Sequence, residues 1–223
     1  RGQVPRPRHG IEIRRLRGQT AAIQKGCQDG QPRPQRPTGP GSAPTHVAAE
    51  VFHVQRRYTT RMITKLLIIT TGGTIDKIYF DDKSDYQVGE PQISQILHAM
   101  HVAFEFQVSA LLRKDSLHIT DDDRKLIRAA VAASDAPQVL ITHGTDSMVA
   151  TALELKGLAG KTIVLTGALN PARFRDSDAI FNIGCAVGAV QCLPPGVYIA
   201  MNGKVWDPAH VRKNPRENRF EPS

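Results

Sequence analysis

Two threonines, each beside a glycine at the end of an apolar run, are the residues best placed to do chemistry in this chain. Thr74 closes "TTGGT" after Leu66–Ile69, and Thr145 lies in "THGTD" after Val139–Ile141. A threonine hydroxyl becomes a useful nucleophile only when a base takes its proton. Two side chains are candidates for that base. His143 sits inside the second cluster, and a buried structural histidine is its alternative reading. Lys213 lies in "NGKVWDPAHVRKN", where a solvated surface charge is the alternative. A lysine in a dry site can lose its proton near neutral pH. Asp146 puts a carboxylate next to Thr145, although Thr-Asp is also a common helix N-cap pair. Ser116, in "KDSLHIT", adds a further hydroxyl. The glycines Gly73 and Gly144 let the backbone come close to a ligand. "GGT" lacks both GxGxxG and GxxxxGK[ST], so a nucleotide-phosphate turn has weak support. Turn hydrogen bonds from Thr71 and Thr74 are the plain alternative.

These residues need a scaffold that gathers them. Short runs rich in Val, Ile and Leu predict strands at Leu66–Thr70, Phe104–Leu112, Val139–Thr142, Thr162–Thr166 and Val197–Met201. Helical patterns fill the gaps at Pro91–Ala103, Asp121–Ser134, Asp146–Leu158 and Asp176–Gln191. Thr120 is the expected cap of the second, with three aspartates in its first turn where the helix dipole favours them. Alternation of this kind predicts an α/β fold, a doubly wound and mostly parallel sheet with helices on both faces. Ligands bind beyond the carboxyl ends of strands in such sheets. "TTGGTID", "RKDSLHIT", "THGTDSM" and "MNGKVWDPAHVRKN" all fall at those ends.

Charge is distributed unevenly. The formal net charge is +8, yet residues 1–61 hold 12 Lys/Arg against 3 Asp/Glu, and the remainder holds 17 against 18. The excess is therefore confined to an Arg-, Gln-, Pro- and Gly-rich stretch that cannot bury enough apolar surface to order itself. Residues 1–61 are expected to be a disordered basic leader or non-native extension. Met62 is then the expected start of the folded part, 62–223, and a mitochondrial-type transit peptide is the competing reading. A nearly neutral folded part argues against a specific nucleic-acid partner. No apolar run approaches the roughly 20 residues of a membrane span. Cys27, Cys185 and Cys192 have neither disulfide-framework nor zinc-ligand spacing, which fits reduced thiols and a cytoplasmic location.

Taken in order, "TTGGTID", "SDYQVGE", "KDSLHIT", "ITHGTDSM", "TGALNP" and "MNGKVWDPAHVRKN" resemble the bacterial-type L-asparaginase (asparaginase/glutaminase) family over about residues 65–215. The resemblance implies hydrolysis of the side-chain amide of L-asparagine, with L-glutamine as a second substrate. It implies Thr74 as the nucleophile and Tyr86 as the residue that hydrogen-bonds it. It implies a second catalytic cluster of Thr145, Asp146 and Lys213. Ser116 and Asp146 would hold the substrate's α-carboxylate and α-amino groups, with Gly73 and Gly144 beside the substrate. It implies no metal or cofactor, and a homodimer or higher homo-oligomer.

Three departures accompany the resemblance. Larger members carry a second domain, whereas this sequence stops at Ser223, so a short single-domain form is expected. Leu117 and His118 stand where polar residues are usual, which weakens the grip on the amino acid. "GALNPARFRDSDAIFN" matches only loosely. An amino-acid-binding or sensing module with little turnover is therefore the rival reading. An amidase for a larger amide, such as a misacylated tRNA, has less support. His98 and His101 have helical spacing but no third ligand, and Asp121–Asp123 read as a helix start. Cys185 and Cys192 are expected to be buried thiols.

Overall fold

Apolar residues fill both faces of the central strands, so those strands must be covered on two sides. A computed structural model describes residues 65–80 and 85–223, without the side chains of 79, 80, 85 and 86. The expected leader, 1–61, lies outside these described residues. The main sheet contains β1 (Lys65–Gly72), β4 (Glu105–Lys114), β5 (Gln138–Thr142), β6 (Thr162–Thr166), β7 (Gly196–Met201) and β8 (Lys204–Trp206). Their order is β4-β1-β5-β6-β7-β8. All pairings are parallel except the last, β7 with β8.

Side-chain alternation sorts the core into two layers. Leu66, Ile68, Leu140 and Val164 pack with helices α1 (Ile93–Ala99) and α4 (Ala179–Cys192). Ile69, Val139, Ile141, Ile163 and Leu165 pack on the other face with α2 (Asp121–Ala133) and α3 (Met148–Glu154). This is the doubly wound arrangement expected from the alternating pattern. The five expected strands are all present, although β4 continues to Lys114.

The helices are shorter than expected, for local reasons. α1 stops at Ala99 because His101 turns into the left-handed region at φ 50°. His98 therefore lies on the helix, against Phe106 at 5.1 Å between ring centroids, whereas His101 lies beyond the helix end. α2 opens as predicted. Thr120 Oγ1 accepts from the Asp123 N–H at 3.3 Å, and the Asp123 carboxylate accepts from the Thr120 N–H at 2.9 Å. α3 begins only at Met148, so Thr145 and Asp146 precede it rather than capping it. α4 has no charged residue, buries Ala179, Ile183, Ala186 and Val190, and leaves Ile180 and Phe181 exposed. Cys185 is half-buried and Cys192 exposed, so only the first approaches the buried thiol expected of both.

Two hairpins were not legible in the sequence. β2 (Lys77–Phe80) pairs antiparallel with β3 (Asp85–Val88), placing Tyr86 opposite Tyr79. β9 (Val211–Asn214) pairs with β10 (Arg219–Pro222), placing Lys213 opposite the buried Phe220. Lys213 therefore belongs to a strand.

Candidate active site

The strand ends β1, β4 and β5 deliver three turns that touch one another. Gly73, at φ +89°, has no room for a side chain: a Cβ there would fall 2.4 Å from Gly144 Cα. A Cβ on Gly144 would in turn fall 2.5 Å from Ser116 Cβ. The Gly73 N–H donates to the Lys114 carbonyl at 2.9 Å, which fixes the first turn to the end of β4. Glycine at 73 and 144 thus brings Thr74, Thr145 and Ser116 onto one rim, because any larger residue would push the turns apart. Thr74 starts a one-turn 3-10 segment, Thr74–Asp76, and is half-buried.

Beside this contact lies a connected set of polar groups. Lys213 Nζ donates to Thr145 Oγ1 at 2.7 Å and to Asp146 Oδ1 at 2.7 Å. Ser116 Oγ donates to the other Asp146 oxygen at 3.0 Å. Ser147 Oγ donates to the Ser116 carbonyl at 2.6 Å, tying the second and third turns again. Thr145 is 2% exposed, and the Lys213 and Asp146 side chains are 15% and 38% exposed. The pair is therefore shielded on the lysine side and open to solvent on the carboxylate side. Burial pushes the Asp146 carboxyl up, but the Lys213 and Ser116 hydrogen bonds together hold it below the usual carboxylate range. A hydroxyl that accepts from an ammonium ion gives up its own proton more readily. Thr145 is thus set up to pass or hold a proton.

His143 has the other role left open by its position. It is fully buried, with Nδ1 donating to the Gly144 carbonyl at 2.7 Å and Nε2 accepting from Thr151 Oγ1 at 2.9 Å. Burial lowers its pKa to about 4, so the ring stays neutral and braces the Gly144 turn. Of the two candidate bases, only Lys213 reaches a threonine hydroxyl in the cluster.

Tyr86 is placed by its backbone on β3, and its side chain lies outside the description. Leu117 is 74% exposed at the rim, and its backbone N–H donates to Asp115 Oδ1 at 3.1 Å. Sequence reasoning missed the supports around this rim. Lys77 pairs with Asp115 at 2.6 Å, joining β2 to the Ser116 turn. Phe220 anchors the strand partner of Lys213, and its N–H donates to Asn202 Oδ1 at 2.9 Å. "DK" after "GGTI" and the lone Phe in the polar stretch 211–223 were the available signals.

The chain is similar to known proteins over most of its described residues. Residues 65–220 match the family described as Asparaginase, N-terminal. An L-asparaginase of Thermococcus kodakarensis is 28% identical over 155 residues, which cover 67% of this chain and 47% of that protein. The solved thermostable L-asparaginase from Thermococcus kodakarensis superposes with a TM-score of 0.60 at 27% identity, over 71% of this chain and 51% of that one. L-asparaginase I from Vibrio cholerae gives 0.63 at 25% identity, over 72% and 51%. The chain spans about half the length of these relatives.

Proposed function

Because this chain belongs to the asparaginase family, we propose that it hydrolyses the side-chain amide of L-asparagine to L-aspartate and ammonia. The observation that carries the reading is the Lys213 ammonium, bonded at 2.7 Å to both Thr145 Oγ1 and Asp146 Oδ1, on a turn whose Gly144 abuts Gly73. In this reading Thr74 Oγ attacks the amide carbon. Its proton passes to Thr145 Oγ1 as the Thr145 proton moves on to the departing nitrogen, with the Lys213 ammonium stabilising the negative charge that develops on Thr145 Oγ1. The tetrahedral oxyanion is met by the Thr145 N–H and a water. Collapse breaks the C–N bond, releases ammonia and leaves an ester on Thr74. Water then cleaves that ester and restores the hydroxyl.

Substrate recognition follows from charge. The Asp146 carboxylate, held ionised, suits the substrate ammonium, and the Ser116 hydroxyl suits the α-carboxylate. L-Glutamine, longer by one methylene, is the second substrate to assay. We assign Tyr86 to the hydrogen bond with Thr74, as the family resemblance implies. The exposed Ile180 and Phe181 support self-association.

The exposed Leu117 favours one rival, an amino-acid-binding module that lacks turnover. Ammonia release from L-asparagine separates the two. The proposed function predicts release that Thr74→Ala abolishes. Amino-acid binding by calorimetry without any ammonia supports the rival instead.

A further inference from the structure

Asp76 is a charged side chain that the proposed reaction does not use, yet it sits two residues from Thr74 and is 2% exposed. Its one-turn segment is tied on two sides. The Ile75 carbonyl accepts from the Ala172 N–H at 3.1 Å. The Asp76 carbonyl accepts from the Gly89 N–H at 2.7 Å, and its carboxylate accepts from the Gln92 N–H at 2.8 Å. These last two bonds grip both ends of the Gly89–Gln92 segment. β2 leaves the turn immediately after Asp76, and β3 ends immediately before Gly89. The clamp therefore closes the base of the hairpin against the Thr74 turn.

The grip continues outward. Gln92 Nε2 donates to the Glu90 carbonyl at 2.7 Å, and Gln92 Oε1 accepts from Arg173 Nε at 3.3 Å. Arg113 on β4 donates to the Val88 carbonyl at 2.7 Å and to Glu90 Oε1 at 2.8 Å. Asp76, Glu90 and Arg113 line one cavity with Gly72, Gly89 and Pro91. Among the described residues, the charged groups facing Asp76 are thus Arg113 and Glu90, with Arg173 one residue removed.

A neutral acceptor would satisfy the Gln92 N–H without placing a carboxyl in a buried site. Burial pushes this one up to about 6, against the help it receives from Gln92 and Arg113. A group kept against its own burial, beside the proposed nucleophile, calls for a role other than stability.

We propose that Asp76 is a positioning residue for Thr74, its carboxylate locking the Gly89–Gln92 segment to the turn that carries the threonine. This rests on the reading of Thr74 as nucleophile, because a fixed turn matters to rate only if that hydroxyl reacts. Small displacements of a reacting group cost on the order of 100-fold in rate.

The test compares Asp76→Ala and Asp76→Asn in the full chain. Ammonia release from L-asparagine should show kcat falling on the order of 10- to 100-fold in Asp76→Ala, with KM changed much less. Asp76→Asn keeps only a neutral, weaker acceptor for the Gln92 N–H and should recover part of that loss, with no acid limb near pH 6, where the wild type falls toward the level of the amide variant. Equal impairment of both variants with unchanged pH profiles overturns the proposal, and so does a wild-type kcat in Asp76→Ala. Hydrogen exchange reads the lock without activity. In Asp76→Ala, the amides of 74–76 and of 89, 90 and 92 should lose protection together, and in Asp76→Asn they should keep much of it. Joint loss of protection in Asp76→Ala, with a wild type that releases no ammonia, supports the lock and refutes the asparaginase reading. Loss confined to 89–92 refutes the lock.

Discussion

Replacing Asp76 by Asn should stabilise the protein at pH 8 and leave its stability unchanged near pH 4. The carboxyl is raised from 3.8 to about 6. A shift of about two units corresponds to about 3 kcal/mol between the protonation states. Because the folded-state value is the higher one, the native state binds the proton more tightly. The favourable contribution is complete below about pH 4 and is lost as pH rises through about 6. Above that pH the wild type holds a buried carboxylate at a cost of about 3 kcal/mol, which the amide avoids. The Gln92 hydrogen bond is already contained in that raised value, so a gain of about 3 kcal/mol is expected at pH 8. His143 slopes the other way in the same window, since its folded value of about 4 lies below 6.5. Both proteins contain that histidine, so its effect cancels in the difference. Urea unfolding of wild type and variant at each pH from 4 to 8 measures it. A difference that does not vary with pH would refute the reasoning.

Three further outcomes follow from the site. Lys213→Met should reduce ammonia release by at least about 100-fold, because Thr145 loses its charged donor; circular dichroism should show the fold retained, and activity near wild type would contradict the assignment. Gly144→Ala should cost about 2 kcal/mol or more in chemical denaturation, since its Cβ would meet Ser116 Cβ at 2.5 Å; a neutral effect would mean the turns separate freely. The His143 ring should stay neutral by NMR down to about pH 4, where burial places its transition; titration near 6.5 would place the ring in solvent.

The parts of the fold that the sequence revealed are those whose physics is local. β5 and β6 are buried along their whole length, so their unbroken apolar runs announce central strands. Thr120 and Asp123 form a reciprocal cap within four residues, and the start of α2 was readable for that reason. The β9–β10 hairpin was not readable, because it spends only Val211 and Phe220 on the core while its other positions, Pro222 apart, are polar or charged. Helix ends were set too wide where the chain turns for tertiary reasons, as at His101. Thr145–Asp146 resembled a cap pair because capping and catalysis draw on the same residue types. What separates them is Lys213, which lies 67 positions from Asp146 and reaches it only through the folded sheet. The family resemblance supplied that link, whereas spacing alone left His143 and Lys213 both open. Contact between Gly73 and Gly144 is likewise invisible until β1 and β5 are known to be neighbours.

The most direct measurement is mass spectrometry of protein quenched in acid just after mixing with L-asparagine. The account predicts one added aspartyl group, on the peptide containing Thr74, and none in Thr74→Ala. An aspartyl group found on Thr145, or ammonia released undiminished by Thr74→Ala, would contradict it.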